Sequence, residues 1–75
     1  MDQAAVYVIR VVGPVDPAGV AELAGLRHTA APDGATTELV GRFADQRALL
    51  GALRALHQAG VPLLAVTRRA PPAAP

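Results

Sequence analysis

The side chains through which this chain could do chemistry are few: two histidines, one tyrosine, six carboxylates and seven arginines. Ser and Cys are both absent, so Thr is the only candidate among the usual hydroxyl and thiol nucleophiles. The missing cysteines also exclude disulfides and a thiolate-held zinc. His28 and His57 have no His-x-x-x-His spacing and no carboxylate cluster beside them, so no metal and no cofactor are expected on one chain. His57 falls in the last turn of a helix, where a cation offsets the negative end of the dipole. His28 falls on a weak edge strand beside Arg27 and Thr29; it is a candidate for lining a cleft, although edge strands carry polar side chains for solubility alone. Tyr7 is expected to point inward, its hydroxyl reaching the end of a sheet. Asp16 and Asp45 each precede a helix and read as N-caps rather than as a general acid and base. Gly13-Pro14-Val15-Asp16 precedes a helix start that would suit a small anion, but Asp16 opposes one. No catalytic residues are assigned, and a non-enzyme is the favoured reading.

The positioning elements follow from hydrophobic pattern and punctuation. Residues 5–12, AVYVIRVV, are a β-branched run closed by Gly13-Pro14, which predicts a central strand. Tyr7, Ile9 and Val11 lie on one face; Val6, Val8, Arg10 and Val12 lie on the other. Asp16-Pro17 opens a short helix to about Gly25, burying Val20, Leu23 and Ala24. Residues 26–31 make a weak edge strand, Pro32-Asp33-Gly34 a turn, and Thr36 to about Phe43 a clean alternation. That alternation sets Thr37, Leu39, Gly41 and Phe43 against Thr36, Glu38, Val40 and Arg42. Asp45 caps a helix over 46–59 whose stripe is Leu49, Ala52, Leu53 and Leu56, widened by Leu50. Gly60 stops it, Pro62 prevents its continuation, and 61–67 is a last strand whose proline favours an edge.

Strand, helix, strand, strand, helix, strand with right-handed crossovers predicts an α+β fold: a ferredoxin-like βαββαβ sandwich. Its four-stranded antiparallel sheet would carry both helices on one face, with the first and third strands central. Residues 1–69 form the single domain; 70–75, APPAAP, are expected to be a disordered Pro/Ala-rich tail.

At 75 residues and 7.6 kDa a lone core seldom supplies more than about 3–5 kcal/mol, so self-association is the expected remedy. The sheet face without helices carries Val6, Val8, Arg10, Val12, Glu38, Val40 and Arg42, joined by either Leu63 and Ala65 or Leu64 and Val66. A homodimer through this open face, or by edge pairing, is expected, with Arg10 and Glu38 neutralising one another. A small-molecule ligand or another protein are the other partners considered. A dimeric α+β-barrel enzyme would have only His28, Arg10 and Tyr7 to work with.

The formal charge of +1 gives no field for nucleic acid or an acidic membrane, and the arginines lack interleaved aromatics. No apolar run approaches the ~20 residues of a membrane span. With no export signal in view, a cytoplasmic site is expected. The absence of Lys and Asn beside abundant Ala and Arg fits a GC-rich bacterial genome.

Two resemblances add to this. Asp16-Pro17-Ala18-Gly19-Val20-Ala21-Glu22-Leu23 resembles the Asp-x-Pro-Gly start of ACT domains, regulatory modules that bind amino acids at dimer interfaces. The resemblance implies that Asp16 and Gly19 border a ligand, and it makes an ACT-like sensor the alternative function. Ala18 separates Pro from Gly here, a departure from that pattern. Over about 25–67 the chain resembles small uncharacterised bacterial proteins with an Asp-Gln-Ala-Ala-Leu-His-Gly helix and a Gly-Leu-Pro-Leu-Leu-Ser-Val strand. The matching residues are Asp33-Gly34, Thr37, Leu39, Gly41, Asp45-Gln46, Ala48-Leu49, Gly51, Leu53, Gly60 and Pro62-Leu63-Leu64-Ala65-Val66, with Leu50 where those proteins have His. This resemblance implies fold and bacterial origin without an activity.

Overall fold

The computed structural model describes residues 4–15, 21–23 and 25–69. Their elements are β1 (Ala5–Val12), a 3-10 turn (Ala21–Leu23), β2 (Arg27–Ala30), β3 (Thr36–Phe43), α1 (Gln46–Gln58) and β4 (Leu63–Arg68). The strands form one antiparallel sheet in the order β2-β3-β1-β4. The class is α+β, with β1 and β3 central and β2 and β4 at the edges.

The two-helix sandwich needs correction: among the described residues there is one α-helix. The helix expected from Pro17 to Gly25 falls largely on residues 16–20 and 24, outside those described, as do Asp16, Gly19 and the tail 70–75. Its described part is the 3-10 turn, tightened where the Leu26 amide donates to the Leu23 carbonyl at 3.0 Å. Leu23 is nonetheless fully buried, as its place in that helix required.

Register follows the side-chain alternation. Ile9 pairs with Leu39 and Val11 with Thr37 on one face; Val8 pairs with Val40 and Arg10 with Glu38 on the other. In the β2–β3 turn, Asp33 Oδ1 accepts from the Ala35 amide at 2.9 Å, and Gly34 takes the positive φ of 71° that its missing Cβ permits. The core lies on the helical face, where Ile9, Val11, Leu39 and Phe43 meet Leu23, Leu49, Ala52 and Leu56. Tyr7 stands against Phe43 edge-to-face, with ring centroids 6.2 Å apart, which spends its aromatic face on packing. Among the described residues Thr37 is the buried polar side chain of this layer, and its hydroxyl donates to the Gly13 carbonyl at 2.7 Å.

α1 begins and ends on the chemistry its sequence announces. Asp45 Oδ1 accepts from the Ala48 amide at 2.9 Å, satisfying a donor the first turn would leave open. At the other end the Gly60 amide donates to the His57 carbonyl and the Val61 amide to the Leu56 carbonyl, both at 3.0 Å. This is a Schellman closure, with Gly60 at φ 76° and Val61 packed on the core. His57 sits in the last turn, exposed. Leu50 does not widen the buried stripe: it is 50% exposed. It lies about 100° round the helix from Leu49, and α1 packs chiefly on the 3-10 turn and β3, which leaves that flank uncovered.

Candidate functional site

The face of the sheet opposite α1 is assembled by pairing alone. β1 contributes Val6, Val8, Arg10 and Val12, and their partners on β3 are Arg42, Val40, Glu38 and Thr36. On the outer side of β3, Arg27 pairs with Val40 and Thr29 with Glu38. All seven residues expected at an interface therefore share one surface. Val6, Val8 and Val40 are half-buried there, while Arg10, Val12 and Arg42 are exposed. Arg10 Nη2 donates to Glu38 Oε2 at 2.9 Å, the expected ion pair. Both side chains stand in solvent, 54% and 41% exposed, so the pair contributes at most about 1 kcal/mol to the isolated chain.

The other edge departs from simple alternation. Ala65 lies opposite Arg10, but Leu63 lies opposite Val11, so Leu64 is an extra residue in a β-bulge. The alternation offered either Leu63 and Ala65 or Leu64 and Val66 for the open face; the bulge selects neither pair. Ala65 is on the open face opposite Arg10, and Leu64 borders an open-face groove of about 400 Å³ with Arg10, Glu38, Thr29 and Pro32. Leu63 and Val66 lie opposite Val11 and Ile9, on the helical side, beyond the reach of the main α1 contacts.

Exposure then singles out β4. Among the described residues the exposed large apolar side chains are Val12, Leu50, Leu63, Leu64 and Val66. All but Leu50 lie along β4 or beside its start, where the Val12 amide donates to the Pro62 carbonyl at 3.0 Å. Every residue of β4 is exposed. β4 read as an edge strand from its proline, but the baring of both its faces was not legible, because it depends on which strands α1 covers.

On the helical side, His28 and Ala30 of β2 border a shallow groove of about 360 Å³ with Pro14, Val15 and Thr37. His28 thus stands beside the chain that leads into Asp16. The Thr37 hydroxyl, the nearest candidate nucleophile in that groove, already donates to Gly13. Elsewhere Asp45 caps α1, Asp33 closes the hairpin turn and Glu38 holds Arg10. Among the described residues no group of three His, Asp or Glu side chains is placed to hold a metal ion. Nor is any described helix long and apolar enough to cross a membrane.

No curated protein and no solved structure matches this chain. One family model does, over residues 6–67, from the start of β1 almost to the end of β4. Its description carries no ligand, partner or reaction. The chain belongs to that family, the domain of unknown function DUF8691.

Proposed function

We propose that this protein is a small, non-catalytic homodimeric binding or adaptor module over residues 1–69, its sheet ordered as in a ferredoxin-like frame and carrying one described α-helix. The observation that carries the reading is the apolar surface the sheet leaves uncovered, with Val12 43%, Leu63 41%, Leu64 52% and Val66 40% exposed. A chain of this size has little core to spare, and contiguous exposed apolar residues mark contact surfaces. The strand order supports the frame, since it is the order that two right-handed crossovers produce. The non-catalytic part rests on occupation: the carboxylates of Asp33, Glu38 and Asp45 and the hydroxyl of Thr37 each serve a structural bond.

A second reading, an ACT-like sensor of an amino acid or related metabolite, is favoured by one observation. The groove at His28 adjoins Pro14 and Val15, at the strand-to-helix loop where such ligands are held. Light scattering across concentration, paired with thermal denaturation in the presence of each amino acid, separates the readings. The module predicts twice the 7.6 kDa chain mass and no saturable rise in melting temperature. A saturable rise with one amino acid transfers the assignment to the sensor, because a ligand that binds only the native state stabilises it. A mass of one chain at every concentration removes the homodimer.

A further inference from the structure

We infer that β4 is the dimer contact: two copies pair β4 against β4 in antiparallel fashion and extend the sheet from four strands to eight. This rests on the homodimer reading and specifies the surface through which it is built.

The backbone argument comes first. The Arg69 amide donates to the Val6 carbonyl at 2.8 Å, and the ladder runs on as Tyr7 with Arg68, Val8 with Thr67 and Ile9 with Val66. In an antiparallel ladder, alternate residues turn their amides toward the neighbouring strand. The amides of Thr67 and Arg69 therefore face β1, and those of Val66 and Arg68 face outward. The sheet order places no described strand on that side. β4 thus offers a row of donors and acceptors ready for another strand.

The side chains show which edge a partner takes and how it approaches. β2, the opposite edge, is four residues long and carries Arg27, His28 and Thr29, the kind of short polar edge that discourages pairing. β4 is six residues long, and Leu63, Leu64, Ala65, Val66 and Thr67 precede its first charge, Arg68. Its apolar residues are bare on both faces, Leu64 on the open side and Leu63 and Val66 on the helical side. Face-to-face stacking of two sheets covers one of these sides. Extension of the sheet covers both, because the added strand brings side chains to each. The centre of the open face has less to gain, since Val6, Val8 and Val40 are already half-buried.

Charge sets the direction. Arg68 and Arg69 close the strand, and parallel pairing would lay the four guanidinium groups of two copies side by side. Antiparallel pairing through a two-fold axis normal to the sheet moves them to opposite ends. Each Arg68 then lies beside the apolar Leu63–Leu64 end of the other copy, where its aliphatic stem can rest.

Three variants test this: Val66→Lys, Val66→Pro and, on the open face, Val8→Asp. Val66 is 40% exposed, lies outside the core cluster and turns its amide away from β1, so neither change removes a core residue or a β1–β4 ladder bond. Proline deletes the outward donor and lysine places a charge at the contact. Each is read by light scattering at concentrations where the wild type is dimeric, with circular dichroism reporting the fold. The expected result is a single-chain mass for both Val66 variants with the spectrum retained, while Val8→Asp stays dimeric. Dimeric Val66→Lys together with dissociated Val8→Asp overturns the β4 assignment and leaves the homodimer standing. A wild type of single-chain mass at all concentrations overturns both. If Val66→Pro loses its fold, Val66→Lys decides alone.

Discussion

Leu39→Ala is expected to remove about 2–5 kcal/mol of stability, the usual cost of truncating a fully buried leucine. Leu39 sits at the middle of β3, between Ile9 on β1 and His28 on β2, with no accessible surface. Its side chain belongs to the same cluster as Leu23, Leu49 and Leu56, so the cavity would open beneath the whole helical layer. Such a loss is comparable to the entire ~3–5 kcal/mol that a core of this size supplies. Urea denaturation followed by circular dichroism should find the transition midpoint moved strongly toward zero denaturant. Leu50→Ala is the matched control: it deletes the same atoms from a side chain 50% exposed, and should move stability by less than about 0.5 kcal/mol. Equal losses at the two positions would mean that the core is not where the burial places it.

Gly41→Val is expected to cost about 1–3 kcal/mol through overpacking. A Cβ built on Gly41 runs into Leu26 Cδ2, with the Leu26 Cγ at 3.4 Å and its backbone Cα at 3.6 Å. Leu26 lies over the bare glycine backbone and joins the edge of the core there. Alanine would only need the terminal methyl of Leu26 to swing aside, and relief of the glycine entropy offsets part of that cost. Valine adds branches at the level of Cγ, which the leucine backbone does not let move away. The check is a double-mutant cycle. Leu26→Ala should relieve the clash, so that Leu26→Ala/Gly41→Val is more stable than the sum of the single losses by at least about 0.5 kcal/mol. Strict additivity would separate the two residues.

Much of the frame was legible because local chemistry and tertiary need agree. AVYVIRVV is a central strand by composition and by position, and the Thr36–Phe43 alternation is the one that buries Thr37, Leu39 and Phe43. Asp45 and Gly60 mark the ends of α1 to within a residue, because caps are side-chain and backbone facts that a sequence carries directly. Arg10 and Glu38 could be paired in advance for the same reason: once two strands are neighbours, period two decides which residues face each other.

The rest depended on contacts between distant segments. The bulge at Leu64 shifts the register by one residue, and nothing in Leu63-Leu64-Ala65-Val66 distinguishes a bulged run from a regular one. The task of Gly41 depends on Leu26, from the segment just before β2, whose side chain lies where a Cβ would stand. Leu50 continued the helical stripe in projection but falls on an uncovered flank, since the width of a buried stripe is set by what packs on it. For the candidate site, the sequence pointed to the valines of the open face. The structure places the larger exposed apolar surface on β4, at the edge of the same sheet.

The claim that a second copy covers that edge is tested most directly by amide hydrogen exchange of the wild-type protein at high and low concentration. The amides of Val66 and Arg68 face away from β1, and that of Thr67 faces it. Val66 and Arg68 should exchange slowly at concentrations where the mass is that of two chains and become fast on dilution, with Thr67 slow throughout. Fast exchange at Val66 and Arg68 in a sample of dimeric mass would show that the two copies meet somewhere other than β4.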